Sequence, residues 1–265
     1  MIRILIAVFT LLFIALFLNR PVENGGVWKP DYQKIDLESI VKKAELTEED
    51  YHTILMQTGL GREAADELLG DLPAKNRERK FEQYQSRFFS SVDYECRPAA
   101  IFVREERIRD EEGNPVKAFD IPNLKDGDIL ITKATHTIGW RHGHAGIVTN
   151  AAEGETLESI LVGTPSVIQN ISKWQTYPSF ILLRLKGDKE AEAGQIAQYA
   201  REKFRDIPYG LLTGIPDKAP ADLKKTQCSH LVWYPYAQFG YDIDSDGSWL
   251  VTPKDITNSE YLEVV

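Results

Sequence analysis

Cysteine beside a base is the nucleophile this chain can offer at neutral pH, and there are two cysteines, Cys96 and Cys228, and five histidines. Cys228 stands in Thr226-Gln227-Cys228-Ser229-His230-Leu231-Val232-Trp233. Leu231, Val232, Tyr236 and Phe239 then fall on one helical face. The spacing places the cysteine at a helix start, where free N–H groups and the helix dipole favour thiolate over thiol. Thiolate is the attacking species in acyl transfer. A buried structural cysteine at a helix start would leave the same local pattern.

A base must come from another element. In Arg141-His142-Gly143-His144-Ala145-Gly146-Ile147-Val148, side-chain alternation puts His144, Gly146 and Val148 on one strand face. Ala145 and Gly146 leave room for another backbone or a substrate. His142 shares that face by spacing, so periodicity leaves either histidine, or a purely structural one. A turn near Ala152-Glu153-Gly154 would fold Thr156-Leu157-Glu158-Ser159-Ile160 back on this strand and bring Glu158 to His144 as a cross-strand neighbour. A carboxylate there would hold the imidazole tautomer and stabilise its charged form. A surface glutamate is the alternative.

The elements that position these residues change character along the chain. Residues 21–34 read as a linker, punctuated by Pro21, Gly25, Gly26 and Pro30. Residues 35–97 read as a small helical region. Thr47 is the expected N-cap of a first helix, Gly59-Leu60-Gly61 breaks it, and further helices are expected over 62–69 and 75–89. From 98 to 265 strands come first, over 100–103, 128–132, 144–149, 156–161 and 180–185, and helices follow over 189–204 and 228–239. Pro235 should kink the last one. Strands followed by helices without βαβ alternation predict an α+β domain on an antiparallel sheet.

The net charge is −9. Residues 1–20 hold two arginines and no acid, so the rest carries 29 bases against 40 acids. A surface that acidic argues against nucleic acid or anionic lipid as the main partner of the folded part. Arg3 followed by the apolar run Ile4 to Leu18 resembles an export signal. Bulky Leu16, Phe17 and Leu18 offer no cleavage site. Residues 1–20 are therefore expected to act as a signal peptide or retained membrane anchor, with the remainder extracytoplasmic.

Gly127-Asp128-Ile129-Leu130, then Gly143-His144-Ala145-Gly146-Ile147-Val148, then Cys228-Ser229-x-Leu231-Val232-Trp233, then Val251-Thr252-Pro253-x-Asp255 resemble the permuted papain-like YiiX/YebB group, distant relatives of NlpC-type cell-wall hydrolases. The resemblance spans about residues 121–260 and leaves residues 20–95 unaccounted for. It implies a permuted papain-like (NlpC-like) α+β domain with an antiparallel sheet and a cysteine-bearing helix. It implies Cys228 as nucleophile, His144 as general base and Glu158 as the polar third residue. Tyr209, in Pro208-Tyr209-Gly210, would line the site, and Trp140, His142 and Ser229 would contact substrate. The expected activity is a cysteine hydrolase cleaving an amide, with cell-wall peptide as substrate and no cofactor. An acyl-lipid hydrolase or acyltransferase, or a silent binding module, would fit the same fold. His230 stands where relatives often carry an acid. Asp242-Ile243-Asp244-Ser245-Asp246-Gly247 resembles the start of a calcium loop, but Pro253 occupies the twelfth position, where a bidentate Glu is required. A solvated Asp-rich turn is expected there, and no metal.

Overall fold

Helix formation early in the chain follows its caps. In the computed structural model, which describes residues 2–19 and 26–265 apart from 101, 120, 122, 138 and 216, the Thr47 hydroxyl accepts the Asp50 N–H and Asp50 reaches back to the Thr47 N–H. This reciprocal capping box starts a helix over Glu48–Thr58. The chain divides into two units, one of them Val27–Val92 with Glu263–Val265 and the other containing Asp93–Leu262.

The first unit holds the strand β1 (Gly26–Trp28) at its start and the helices α2 (Glu38–Val41), α3 (Glu48–Thr58), α4 (Arg62–Asp71) and α5 (Ala74–Phe88). Leu37, Val41, Ile54, Ala65 and Phe81 form its core. Truncating Phe81 to alanine would cost about 3–5 kcal/mol by the usual transfer and cavity terms. A polar bridge crosses that core: the Gln85 amide donates to the Gln57 side chain and to the Ile35 carbonyl, each at 2.7 Å.

The other unit is the α+β part. Its order is α1 (Ile2–Asn19), β2 (Val92–Pro98), β3 (Val103–Arg107), β4 (Ile129–Thr132), β5 (Thr135–Thr137), β6 (Trp140–Arg141), β7 (His144–Asn150), β8 (Glu155–Glu158), β9 (Val167–Asn170), a 3-10 helix (Ile171–Thr176), β10 (Ile181–Leu185), α6 (Glu190–Lys203), α7 (Cys228–Gln238) and α8 (Pro253–Thr257), with β11 (Leu262–Val264) at the end of the chain. One antiparallel sheet runs β10-β4-β7-β8-β9 and a second runs β2-β3-β5-β6. Both faces of β4 and β7 are buried, and α6 and α7 pack against β7. That is why these strands read as apolar runs and carry His144 into the interior. Behind α7, the Tyr236 hydroxyl donates to the Gly127 carbonyl, and Asp128 pairs with Arg184 at 2.8 Å.

Several expectations shift. The unit boundary falls at 92/93, because the charged segment Val92–Pro98 pairs with β3 as a strand. The strand expected over 100–103 starts only at Val103, and Ile101 lies outside the described residues. Strand β8 stops at Glu158, short of the expected 161. Helix α7 runs through Pro235 to Gln238, one residue short of the expected end. The linker expected over 21–34 lies outside the described residues up to 25. No helix among the described residues is long and apolar enough to cross a membrane. Helix α1 has 18 residues, and at the helical rise this gives about 27 Å against a hydrocarbon core of about 30 Å.

Candidate active site

The site forms where β7, β8, the 3-10 helix and the start of α7 meet. Glu158 is fully buried at the end of β8 and accepts four hydrogen bonds. His144 Nε2 (2.7 Å) and Lys173 Nζ (2.8 Å) donate to its Oε2. Thr156 Oγ1 (2.8 Å) and Trp174 Nε1 (2.9 Å) donate to its Oε1. Every lone-pair direction of the carboxylate is thus used, which is what a buried charge requires.

A carboxylate can only accept, so His144 Nε2 carries a proton and Nδ1 is left for Cys228, whose titration the ring influences. The Trp174 indole stacks on the imidazole at 5.5 Å with 14° between planes. Ring orientation is therefore fixed by packing on one face and a hydrogen bond at one edge.

Cys228 is the first residue of α7. The Gln227 side chain caps the helix by accepting the Ser229 N–H at 3.0 Å. Burial favours the neutral thiol, but the hydrogen bond and charge of His144 outweigh it, with help from the Ser229 hydroxyl and the Ala145 N–H, and the Cys228 pKa falls below the ordinary thiol value. On His144 burial disfavours the charged ring, yet bonding to Cys228 and Glu158 pushes its pKa up to about 9. Burial likewise works against the Glu158 charge. The Lys173 ammonium and the His144 hydrogen bond reverse this and hold the carboxyl well below its usual range. The arrangement therefore favours thiolate and imidazolium together.

The hairpin register places Ile147 opposite Leu157, and Glu158 then reaches His144 diagonally across Gly146. A Cβ on Gly146 would come within 3.0 Å of the Trp174 ring and 3.1 Å of Glu158 Cγ. The room at Gly146 thus serves the site's own side chains and not a substrate. His142 does not share the His144 face. Gly143 takes φ +78°, which breaks the alternation before β7 begins. The His142 ring donates from Nδ1 to the Gly143 carbonyl (2.7 Å) and meets the Thr137 hydroxyl at 2.8 Å. Burial, and then the nearby charge of His144, lower its pKa and keep it neutral.

Tyr209 is half-buried near Cys228; burial, and then the negative charge of Cys228, raise its pKa. Ser229 is fully buried, with its hydroxyl 3.7 Å from the Cys228 sulfur. Trp140 is exposed on β6, with its ring edge-on to His142. His230 is committed to structure: its Nε2 donates to the Lys218 carbonyl at 2.8 Å.

Both cysteines are free. Cys96, on β2, pairs in register with Glu106, and burial followed by the Glu106 charge pushes its pKa up to about 11. Glu106 also binds His136 (2.7 Å) and Arg141 (2.6 Å), so this second cluster of Cys, His and Glu holds its thiol protonated. In the acidic turn Asp242, Ser245 and Asp246 are exposed as expected, but Asp244 is buried against Lys218, and Asp255 is spent capping α8 with Thr252. The carboxylates of Asp244, Asp246 and Asp255 lie within 4.8 Å of one another.

Lys173 and Trp174 were not visible in the sequence. They lie on a six-residue 3-10 helix with no hydrophobic period, and only a buried tryptophan beside a lysine hints at them.

No family model matches this sequence, and no curated protein matches it. Among solved structures, the metalloprotein YiiX from Escherichia coli O157:H7 superposes with a TM-score of 0.42 at 13% identity, covering 53% of this chain and 96% of that one. A likeness at that level says nothing of activity.

Proposed function

We propose that this protein is a thiol hydrolase that cleaves an amide through Cys228, His144 and Glu158, on the permuted papain-like pattern in which the histidine strand precedes the cysteine helix. The observation that carries this reading is His144 set between a fully buried carboxylate, to which its Nε2 donates at 2.7 Å, and the Cys228 thiol, whose pKa the ring lowers.

The thiolate attacks the carbonyl carbon, the C–S bond forms and the π pair moves onto oxygen. The Cys228 N–H, first in α7 and without a helical partner, donates to that oxygen. His144 gives its Nδ1 proton to the leaving nitrogen as the C–N bond breaks, leaving an acyl-enzyme and a neutral imidazole. A water then passes its proton to Nδ1 and adds its oxygen to the acyl carbon. Collapse expels the thiolate and restores the starting pair. Glu158 stays ionised throughout and holds the imidazolium.

The substrate proposed is cell-wall peptide, met outside the cytoplasm, with residues 1–20 as signal or anchor. This rests on the apolar N-terminal run and on the family resemblance of the four motifs. A second reading, hydrolysis or transfer of a lipid acyl group, is favoured by one observation. Leu211, Leu212 and Ile215 follow directly on Tyr209 and are exposed, as is Trp249, whose carbonyl lies against Gly214. Incubation of wild-type protein and Cys228→Ala with peptidoglycan fragments and with phospholipid vesicles, followed by mass spectrometry, separates the readings. Peptide products from wild type alone support the first and released fatty acid the second; no product from either substrate sinks both.

A further inference from the structure

The Lys173 backbone is pinned from the second sheet. Its carbonyl accepts from Arg107 Nη1 at 2.6 Å, and the same nitrogen reaches the Thr176 hydroxyl at 2.7 Å. The Arg107 guanidinium also lies over the Tyr177 ring at 3.6 Å. So held, the Lys173 ammonium meets Glu158 Oε2, the oxygen that also binds His144.

Charge counting gives this contact a purpose. Imidazolium and thiolate cancel each other, and buried Glu158 would leave the group with one uncompensated negative charge. Such a charge is costly in a buried site, and the group that can most easily relieve it is Cys228, by taking up a proton. Lys173 brings the sum to zero. The neighbours do not substitute for it: Glu105 is matched by Arg107 at 2.9 Å, His142 is spent on Thr137 and the Gly143 carbonyl, and the Tyr209 and Tyr177 hydroxyls are neutral.

We propose that Lys173 is a positioning residue of this site, the fixed countercharge to Glu158 that lets Cys228 exist as thiolate beside His144. The proposal rests on the thiol-hydrolase reading.

The test is the pH profile of iodoacetamide alkylation at Cys228 in the full chain, with the modified peptide identified by mass spectrometry. Wild type should label readily below pH 8. In Lys173→Met the midpoint should rise by about one pH unit, which is about a tenfold loss of labelling rate on the acid limb. Lys173→Arg keeps the charge and should stay within about twofold of wild type. Lys173→Gln serves where the methionine variant does not fold, with the same expectation. A purely structural lysine would lower the rate at every pH without moving the midpoint. If Lys173→Met and Lys173→Gln fold and titrate like wild type, the countercharge role is wrong, while the thiol reading stands. If wild-type Cys228 itself titrates as an ordinary thiol, the hydrolase reading fails and takes this proposal with it.

Discussion

Glu158 has no exposed surface and four donors, and this explains why its charge, more than its shape, matters to His144. Glu158→Gln keeps the outline of the side chain and removes the charge. It should lower turnover by about one to several orders of magnitude while leaving substrate binding nearly unchanged, as judged by kcat and KM measured separately. Cys228→Ala should lose turnover almost completely, with His144→Ala nearly as severe and His142→Ala much milder. Full activity in Glu158→Gln would refute the role given to this carboxylate. The pH profile follows from the same three residues. The reactive form needs Cys228 deprotonated and His144 protonated. Cys228 is shifted below the ordinary thiol range, so kcat/KM should rise with pH and reach its plateau before that range. His144 loses its proton at about pH 9, so activity should fall there. A profile that keeps climbing through pH 9 would contradict the ion pair.

At the scale of elements, the hairpin of β7 and β8 sets the spacing of the site, and Gly146 is the point where it has no slack. Gly146→Ala should push Glu158 or Trp174 aside, at about 1–3 kcal/mol of stability if the neighbours strain and not yield. Thermal unfolding measures the cost. Turnover should drop further than stability does, because the displaced groups are those that hold the imidazole; unchanged turnover would show the hairpin to be more pliant. The catalytic candidates were legible in sequence because each occupies a position that a local period defines. Cys228 begins an apolar helix, His144 lies on a strand face, and Glu158 sits a fixed count from a turn. Lys173 and Trp174 escaped because tertiary packing alone brings a short 3-10 helix beneath β8. The likeness of His142 to His144 failed on a single backbone angle, at Gly143, which spacing cannot show. Strands β2, β5 and β6 were missed for another reason: their polar and charged side chains pair in register without any apolar alternation.

For the whole molecule, the apolar start of the chain makes a claim about place. If residues 1–20 direct export, protease added to intact spheroplasts should digest the folded part, and protection until lysis would put it on the inner side. If exported, the two free thiols would meet an oxidising environment with opposite dispositions. Cys228 is held toward thiolate, whereas Cys96 stays protonated to about pH 11. Peroxide attacks thiolates, so it should convert Cys228 to a sulfenic acid and leave Cys96 intact. A protonated Cys96 is a poor nucleophile and would not resolve that sulfenic acid into a disulfide. Peptide mapping after brief peroxide treatment should find oxygen added at position 228 alone, and a Cys96–Cys228 bridge would disprove the contrast. The feature that makes one sulfur reactive thus also makes it the chain's point of oxidative loss, with rescue left to an external thiol.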